Sequence, residues 1–297
     1  MESLMINTSL SFIDTHLHLW DRAKFSVDWT HEAPHFDRNF SLSEYLEDVS
    51  NLPLEAAVYM EVDAAPSAKE KEMEYVRALC TSPDNPLKGA VFFADPLAVD
   101  FKSQVKRLAS DPFTKGIRRA LHLPEQEKGL CLKKEFVSGL NLLADFGLSF
   151  DLCMRADELG NALELSQKCP ETIFVLDHCG YIGLPLRFDD LKDGEVQKWK
   201  DRMARLGERK NVYCKLSGLV SQLSGSNNIH AILPIITVCL ESFPVNRIVI
   251  GSDWPICTLG ASAKNWLHVL MEFLGDLPIA DREKILSKNA KELYRLA

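Results

Sequence analysis

Short apolar runs alternate with longer segments of helical period along almost the whole chain. The first run, 12–20 (FIDTHLHLW), is apolar until Asp14, His16 and His18 interrupt it, and strict two-residue alternation would put those three side chains on one strand face. Seven further runs read as strands: 55–62 (EAAVYMEV), 89–94 (GAVFFA), 115–121 (KGIRRAL), 148–154 (LSFDLCM), 172–178 (TIFVLDH), 211–217 (NVYCKLS) and 247–253 (RIVIGSD). Between them the apolar period predicts helices over 41–49, 66–80, 99–109, 134–146, 156–169, 194–208 and 229–243, the last interrupted by Pro234, with closing helices over 263–274 and 280–296. Ser41 with Glu44 three residues on is the pattern of a capping box. Segment 21–40 has no clear period but carries Trp29, Pro34 and Phe36, the composition of an ordered lid or of a surface loop packed on the fold.

Eight strands alternating with helices, without a linker or low-complexity break, predict one α/β domain over 1–297: a single (β/α)8 TIM barrel with extra C-terminal helices. A doubly wound sheet is the alternative, but no GxGxxG or GxxxxGK[ST] follows any strand, so nothing points to a dinucleotide or a nucleoside triphosphate.

Composition narrows the partner more than the fold. The hydrophobic share is 46%, the charged share 26% and the net charge -8. With Lys and Arg dispersed, there is no basic footprint for nucleic acid or anionic lipid, and a small-molecule substrate fits better. The eight cysteines form no CxxC pair and several sit inside apolar runs, as buried reduced thiols do. Residues 1–10 lack the pattern of a secretory signal and no run is long enough for a membrane span, so the expectation is a cytoplasmic protein. A homo-oligomer is left open.

In a barrel the C-terminal strand ends converge, which would bring His16 and His18 from the first strand, His178 from the sixth and Asp253 from the eighth to one mouth. Imidazoles and a carboxylate are ligands for one divalent ion, zinc first, and Asp253 could instead, or also, take a proton from water. Each residue alone would as readily be a hydrogen-bonded strand-end group or a turn cap; four at three strand ends make a site.

The chain resembles the amidohydrolase-related enzymes of the amidohydrolase superfamily. The resemblance is carried by I-D-T-H-L-H-L-W at 13–20, K-G-I-R at 115–118, L-D-H-C-G at 176–180, C-K-L-S-G at 214–218, G-S-D-W-P at 251–255 and N-A-K-E-L-Y-R-L at 289–296. Within that superfamily it is most similar to the sugar-lactone and pyrone-dicarboxylate lactonases. The resemblance implies His16 and His18 as the first-strand pair, His178 as the sixth-strand histidine and Asp253 as the residue that activates water. Arg118 and Lys215 would then supply positive charge to an oxyanion or a substrate carboxylate, or else form ordinary ion pairs. Trp20 and Tyr181 complete the substrate-binding set. The fifth strand ends in Asp151, Cys153 and Met154 with no histidine, which argues against two metals and leaves one metal or none. Tyr181 follows Gly180 where dicarboxylate lactonases carry an arginine, so a neutral lactone is favoured.

The expected function is therefore hydrolysis of a small cyclic ester, an aldonolactone first. Metal-dependent decarboxylation within the same superfamily and a noncatalytic ligand-binding barrel are the alternatives. Asn227 and Asn228 lie in a polar turn that could reach sugar hydroxyls or simply face solvent.

Overall fold

β-Branched and apolar residues fill the strand segments, and both faces of most strands are buried, as a parallel sheet covered by helices requires. The computed structural model describes residues 10–181, 193–223 and 228–296. Its strands are β1 (Phe12–Leu17), β2 (Leu54–Met60), β3 (Leu87–Phe93), β4 (Thr114–Arg118), β5 (Ser149–Leu152), β6 (Phe174–Leu176), β7 (Val212–Leu216) and β8 (Ile248–Ile250). They form one sheet in chain order, every neighbour parallel. A bridge from Leu17 to Trp254 closes β1 onto the end of β8, with Asp253 N–H donating to His16 O at 2.8 Å and His18 N–H to Trp254 O at 2.8 Å. This is the expected (β/α)8 barrel.

The helices are α1 (Leu42–Asp48), α2 (Lys69–Cys80), α3 (Phe101–Ala109), α4 (Lys134–Asn141), α5 (Leu143–Phe146), α6 (Leu159–Lys168), α7 (Asp193–Gly207), α8 (Leu233–Ser242), α9 (Ala263–Phe273), α10 (Ile279–Glu283) and α11 (Asn289–Tyr294). The Ser41 capping box forms in full. Pro234 does not interrupt a helix: it stands in the first turn of α8, where a missing N–H breaks no bond. The expected helix over 280–296 is instead α10 and α11 joined by a π-helical turn, Lys284–Lys288. Among the described residues no helix is long and apolar enough to cross a membrane. All eight cysteines are buried free thiols.

Alternation along the strands separates two apolar clusters. Phe12, Ala57, Tyr59, Phe92, Phe150, Phe174 and Ile248 face the helices in the larger one. Ile13, Val58, Met60, Val91, Val175 and Val249 point inward and meet Leu293 and Tyr294 of the C-terminal helix, which fill the barrel floor. Lys215 and Asp151 share the inward parity of Val249 and Val175, their register partners, and so place charge inside the barrel.

β1 departs from simple alternation. Its pairing with β2 slips between Asp14 and Leu17, and a bulge of this kind turns the following side chains to the other face. The expectation that Asp14 shares a face with His16 and His18 is therefore corrected. Its carboxylate accepts from Tyr45 Oη of α1 at 2.7 Å and from Ser252 N–H at 2.8 Å, tying β1 to a covering helix and to the segment after β8.

Candidate active site

The bulge and the β1–β8 closure together define the centre of the site. His16 Nε2 lies 3.2 Å from His18 Nε2, and Asp253 Oδ1 is 3.6 Å from the first and 3.4 Å from the second. His18 Nδ1 is 3.0 Å from the Met60 carbonyl, which can only accept, so Nδ1 carries the hydrogen and Nε2 presents its lone pair inward. His16 Nδ1 faces Asp177 Oδ1 and Lys215 Nζ, each at 3.4 Å. Burial drives the His16 imidazole well below the usual histidine range, Asp177 opposing and Lys215 assisting. Burial pushes the Asp253 carboxyl up, but His178 first, and the His16 and His18 imidazoles beside it, outweigh that and hold it at about 2.

His16 Nε2, His18 Nε2 and Asp253 Oδ1 thus converge within 3.6 Å of one another, and a cation at their centre would meet all three. Their separations also match the ~3.3 Å edge of a tetrahedron built on bonds of about 2.0 Å, the dimension of a zinc site. The donor set fits a divalent ion held by His16, His18 and Asp253. His178 stands beside this set: its ring centroid is 4.6 Å from that of His16, and its own close cluster is with His16 and Asp177.

His178 and Asp253 both hold left-handed backbone, φ 54° and 59°, a strained state for non-glycine residues of the kind found at functional sites. His178 Nδ1 shares a hydrogen bond of 3.0 Å with Ser217 Oγ. Its ring fits only because position 218 is glycine: a Cβ there would lie 2.1 Å from Nδ1. Gly251 does the same for His16, where an added Cβ would come within 2.6 Å of the histidine Cβ.

Beneath the histidines lies an ion cluster that is wholly buried. Lys215 Nζ is 2.5 Å from Asp151 Oδ2 and 2.9 Å from Asp177 Oδ1. Burial opposes its charge, yet the two carboxylates keep Lys215 protonated; against the same burial penalty Lys215 keeps Asp177 ionised, while burial and the Asp177 charge raise Asp151. Arg118 is held by Glu61, with Nε 2.8 Å from Oε1 and Nη2 2.7 Å from the Glu61 carbonyl.

Above the centre opens a cavity of about 380 Å³ lined by His18, His178 and Asp253, with Trp20, Trp29, Tyr181 and Arg118 among its walls. Trp20, Tyr181 and Arg118 line this cavity, whereas Lys215 is not among the lining residues and meets the site through Asp177 and His16. Segment 21–40 is ordered by its aromatic residues: Trp20 packs on Trp29, Phe36 and Phe40, and Trp29 Nε1 donates to Val62 O at 2.9 Å. Asn227 lies outside the described residues. Missed by the sequence reading were Glu61, Asp151 and Asp177 as partners of the two cations, and His122 as a wall residue. The only signal for the acids was their position at strand ends.

A sequence model described as amidohydrolase matches residues 13–296. An L-fucono-1,5-lactonase from Burkholderia ambifaria is 23% identical over 96% of this chain and 95% of its own length. The structure of an amidohydrolase from Burkholderia multivorans with bound zinc superposes with TM-score 0.83 at 21% identity, over 96% of this chain and 99% of that one. A 5-carboxyvanillate decarboxylase from Sphingomonas paucimobilis shares the fold more distantly, with TM-score 0.61 and 13% identity over 97% of this chain and all of that one (100%).

Proposed function

The chain belongs to the amidohydrolase family, and from that premise we propose that it is a hydrolase that opens a small neutral cyclic ester, a sugar lactone. The observation that carries the reading is the state of the cations around the cavity. A carboxylate substrate needs a free arginine or lysine, and among the described residues Arg118 is neutralised by Glu61 and Lys215 by Asp151 and Asp177. The lining instead pairs the Trp20 and Trp29 walls with acids that can accept hydrogen bonds from hydroxyls: Glu125, and Asp63, whose charge Lys69 shares at 3.4 Å. The same feature weakens the decarboxylase alternative, whose substrates are acids. Kinship with L-fucono-1,5-lactonase points the same way.

In this reading a divalent ion, zinc first, is held by His16, His18 and Asp253 and supplies Lewis acidity toward the ester carbonyl. Asp253, already ionised, takes the proton of the attacking water. His178, fixed by Ser217 and by the space at Gly218, hydrogen-bonds the oxygen that gains charge in the tetrahedral state. Lys215 acts at a distance, keeping Asp177 ionised so that His16 stays oriented. Segment 21–40 covers the cavity and excludes bulk water.

The test is a panel of five- and six-membered sugar lactones given to metal-free and zinc-loaded protein. At least one should open well above the buffer rate, and Asp253→Asn should lose roughly a thousandfold in kcat/KM with an unchanged circular dichroism spectrum. Release of carbon dioxide from aromatic acids with no lactone opened would replace the reading with decarboxylation.

A further inference from the structure

His122 follows β4 in the turn Leu121-His122-Leu123-Pro124 and lines the cavity on the side of Cys153 and Tyr181. The turn is firmly held. Leu121 N–H donates to Cys153 O at 2.8 Å, and the Arg155 guanidinium donates to Leu123 O at 2.8 Å and Gln126 O at 3.2 Å. The Tyr181 ring lies 5.3 Å from the imidazole, centroid to centroid.

The proton arrangement follows from the neighbour of Nδ1, which is Cys153 Sγ at 3.1 Å. A thiol is a donor whose sulfur accepts poorly, whereas a bare imidazole nitrogen accepts well, so S–H donates to Nδ1. Burial pushes the Cys153 thiol far up and keeps that hydrogen in place. The ring hydrogen of a neutral His122 is then on Nε2, which has no protein partner among the described residues. Burial, and after it the Arg118 charge, lowers His122 to about 4, so the ring is uncharged at neutral pH.

We propose that His122 is a substrate-binding, specificity-determining residue whose Nε2–H, fixed by the Cys153 thiol, donates a hydrogen bond to a hydroxyl or ring oxygen of the ligand. This assignment rests on the lactonase reading. It supplies a donor on a wall whose cations are otherwise engaged, and it does so without attracting anions.

The experiment measures binding of a non-hydrolysable polyhydroxylated lactam, and of its singly deoxygenated counterparts, by calorimetry to wild type, His122→Phe and His122→Gln. His122→Phe should bind the parent lactam about five- to tenfold more weakly, the loss vanishing for one deoxy counterpart, and His122→Gln, which restores an N–H near the same place, should recover most of it. Nitrogen-15 spectra of the histidine rings should show His122 neutral with its hydrogen on Nε2, and Cys153→Ala should disturb that state. Equal affinities of wild type and His122→Phe for every lactam, no lactam binding to wild type, or an Nδ1–H tautomer would each overturn the assignment. Discriminating lactam binding by a protein that opens no lactone would sink the lactonase reading and leave His122 as a ligand contact; lactone turnover without discrimination would sink the His122 assignment alone.

Discussion

Replacing Lys215 with methionine tests whether the buried ion cluster is the floor on which the histidines stand. The ammonium sits 2.5 Å from Asp151 and 2.9 Å from Asp177, all three side chains without solvent exposure. At an effective dielectric constant of about 20, each contact contributes about 6 kcal/mol of attraction, offset by several kcal/mol of lost hydration for every ion. Methionine keeps most of the volume and none of the charge, and removing one member of a buried pair costs about 3–5 kcal/mol because its partner is left uncompensated. Two carboxylates are left here, so the upper end applies. The sign of the pH effect follows from the carboxyls. In the native chain Lys215 holds Asp177 below its unfolded value, giving stability that is present above the unfolded pKa and lost as pH falls through the folded one, while Asp151, raised to about 7, gives stability at low pH that is lost as pH rises through that value. In the variant burial lifts both carboxyls above their unfolded values, so stability is retained at low pH and lost as pH rises. Urea denaturation followed by circular dichroism should therefore show a larger deficit at about pH 8 than at about pH 5. A deficit below about 1 kcal/mol at both, or a larger one at the lower pH, would refute the reasoning.

Two other substitutions probe the frame of the site. Gly218→Ala drives a methyl group against the His178 ring and demands φ +65° of an alanine, so kcat/KM should fall about a hundredfold while the far-ultraviolet spectrum is kept; a fall below about threefold would mean that His178 is not held by that contact. Asp14→Ala orphans Ser252 N–H and Tyr45 Oη, and should lower stability by about 3 kcal/mol in denaturant melts, with Asp14→Asn milder.

The fold was legible because each strand is a short apolar run with a turn behind it, and the termini of His16, His18, His178 and Asp253 could be matched to strand ends. Three things were not. The slip in β1 is a backbone event that a two-residue period cannot register, so Asp14 was grouped with histidines from which it is turned away. The partners of Lys215 come from β5 and the end of β6, and pairing at such sequence distance leaves no local signature. His122 is one polar residue in an apolar turn, and its meaning depends on a thiol 31 residues further along the chain.

The closure between Leu17 and Trp254 has a consequence for assembly. The two histidines come from the first strand made and Asp253 from the end of the last, so no nascent chain can complete the donor set before the final strand leaves the ribosome. On the proposed reading, in which these residues hold a divalent ion, its capture would be a late event that reports ring closure, and an opening cut elsewhere in the barrel, with the natural ends joined, would leave both halves of the centre on adjoining stretches of one chain. Such a permuted protein should gather its ion earlier in folding than the native order of synthesis allows.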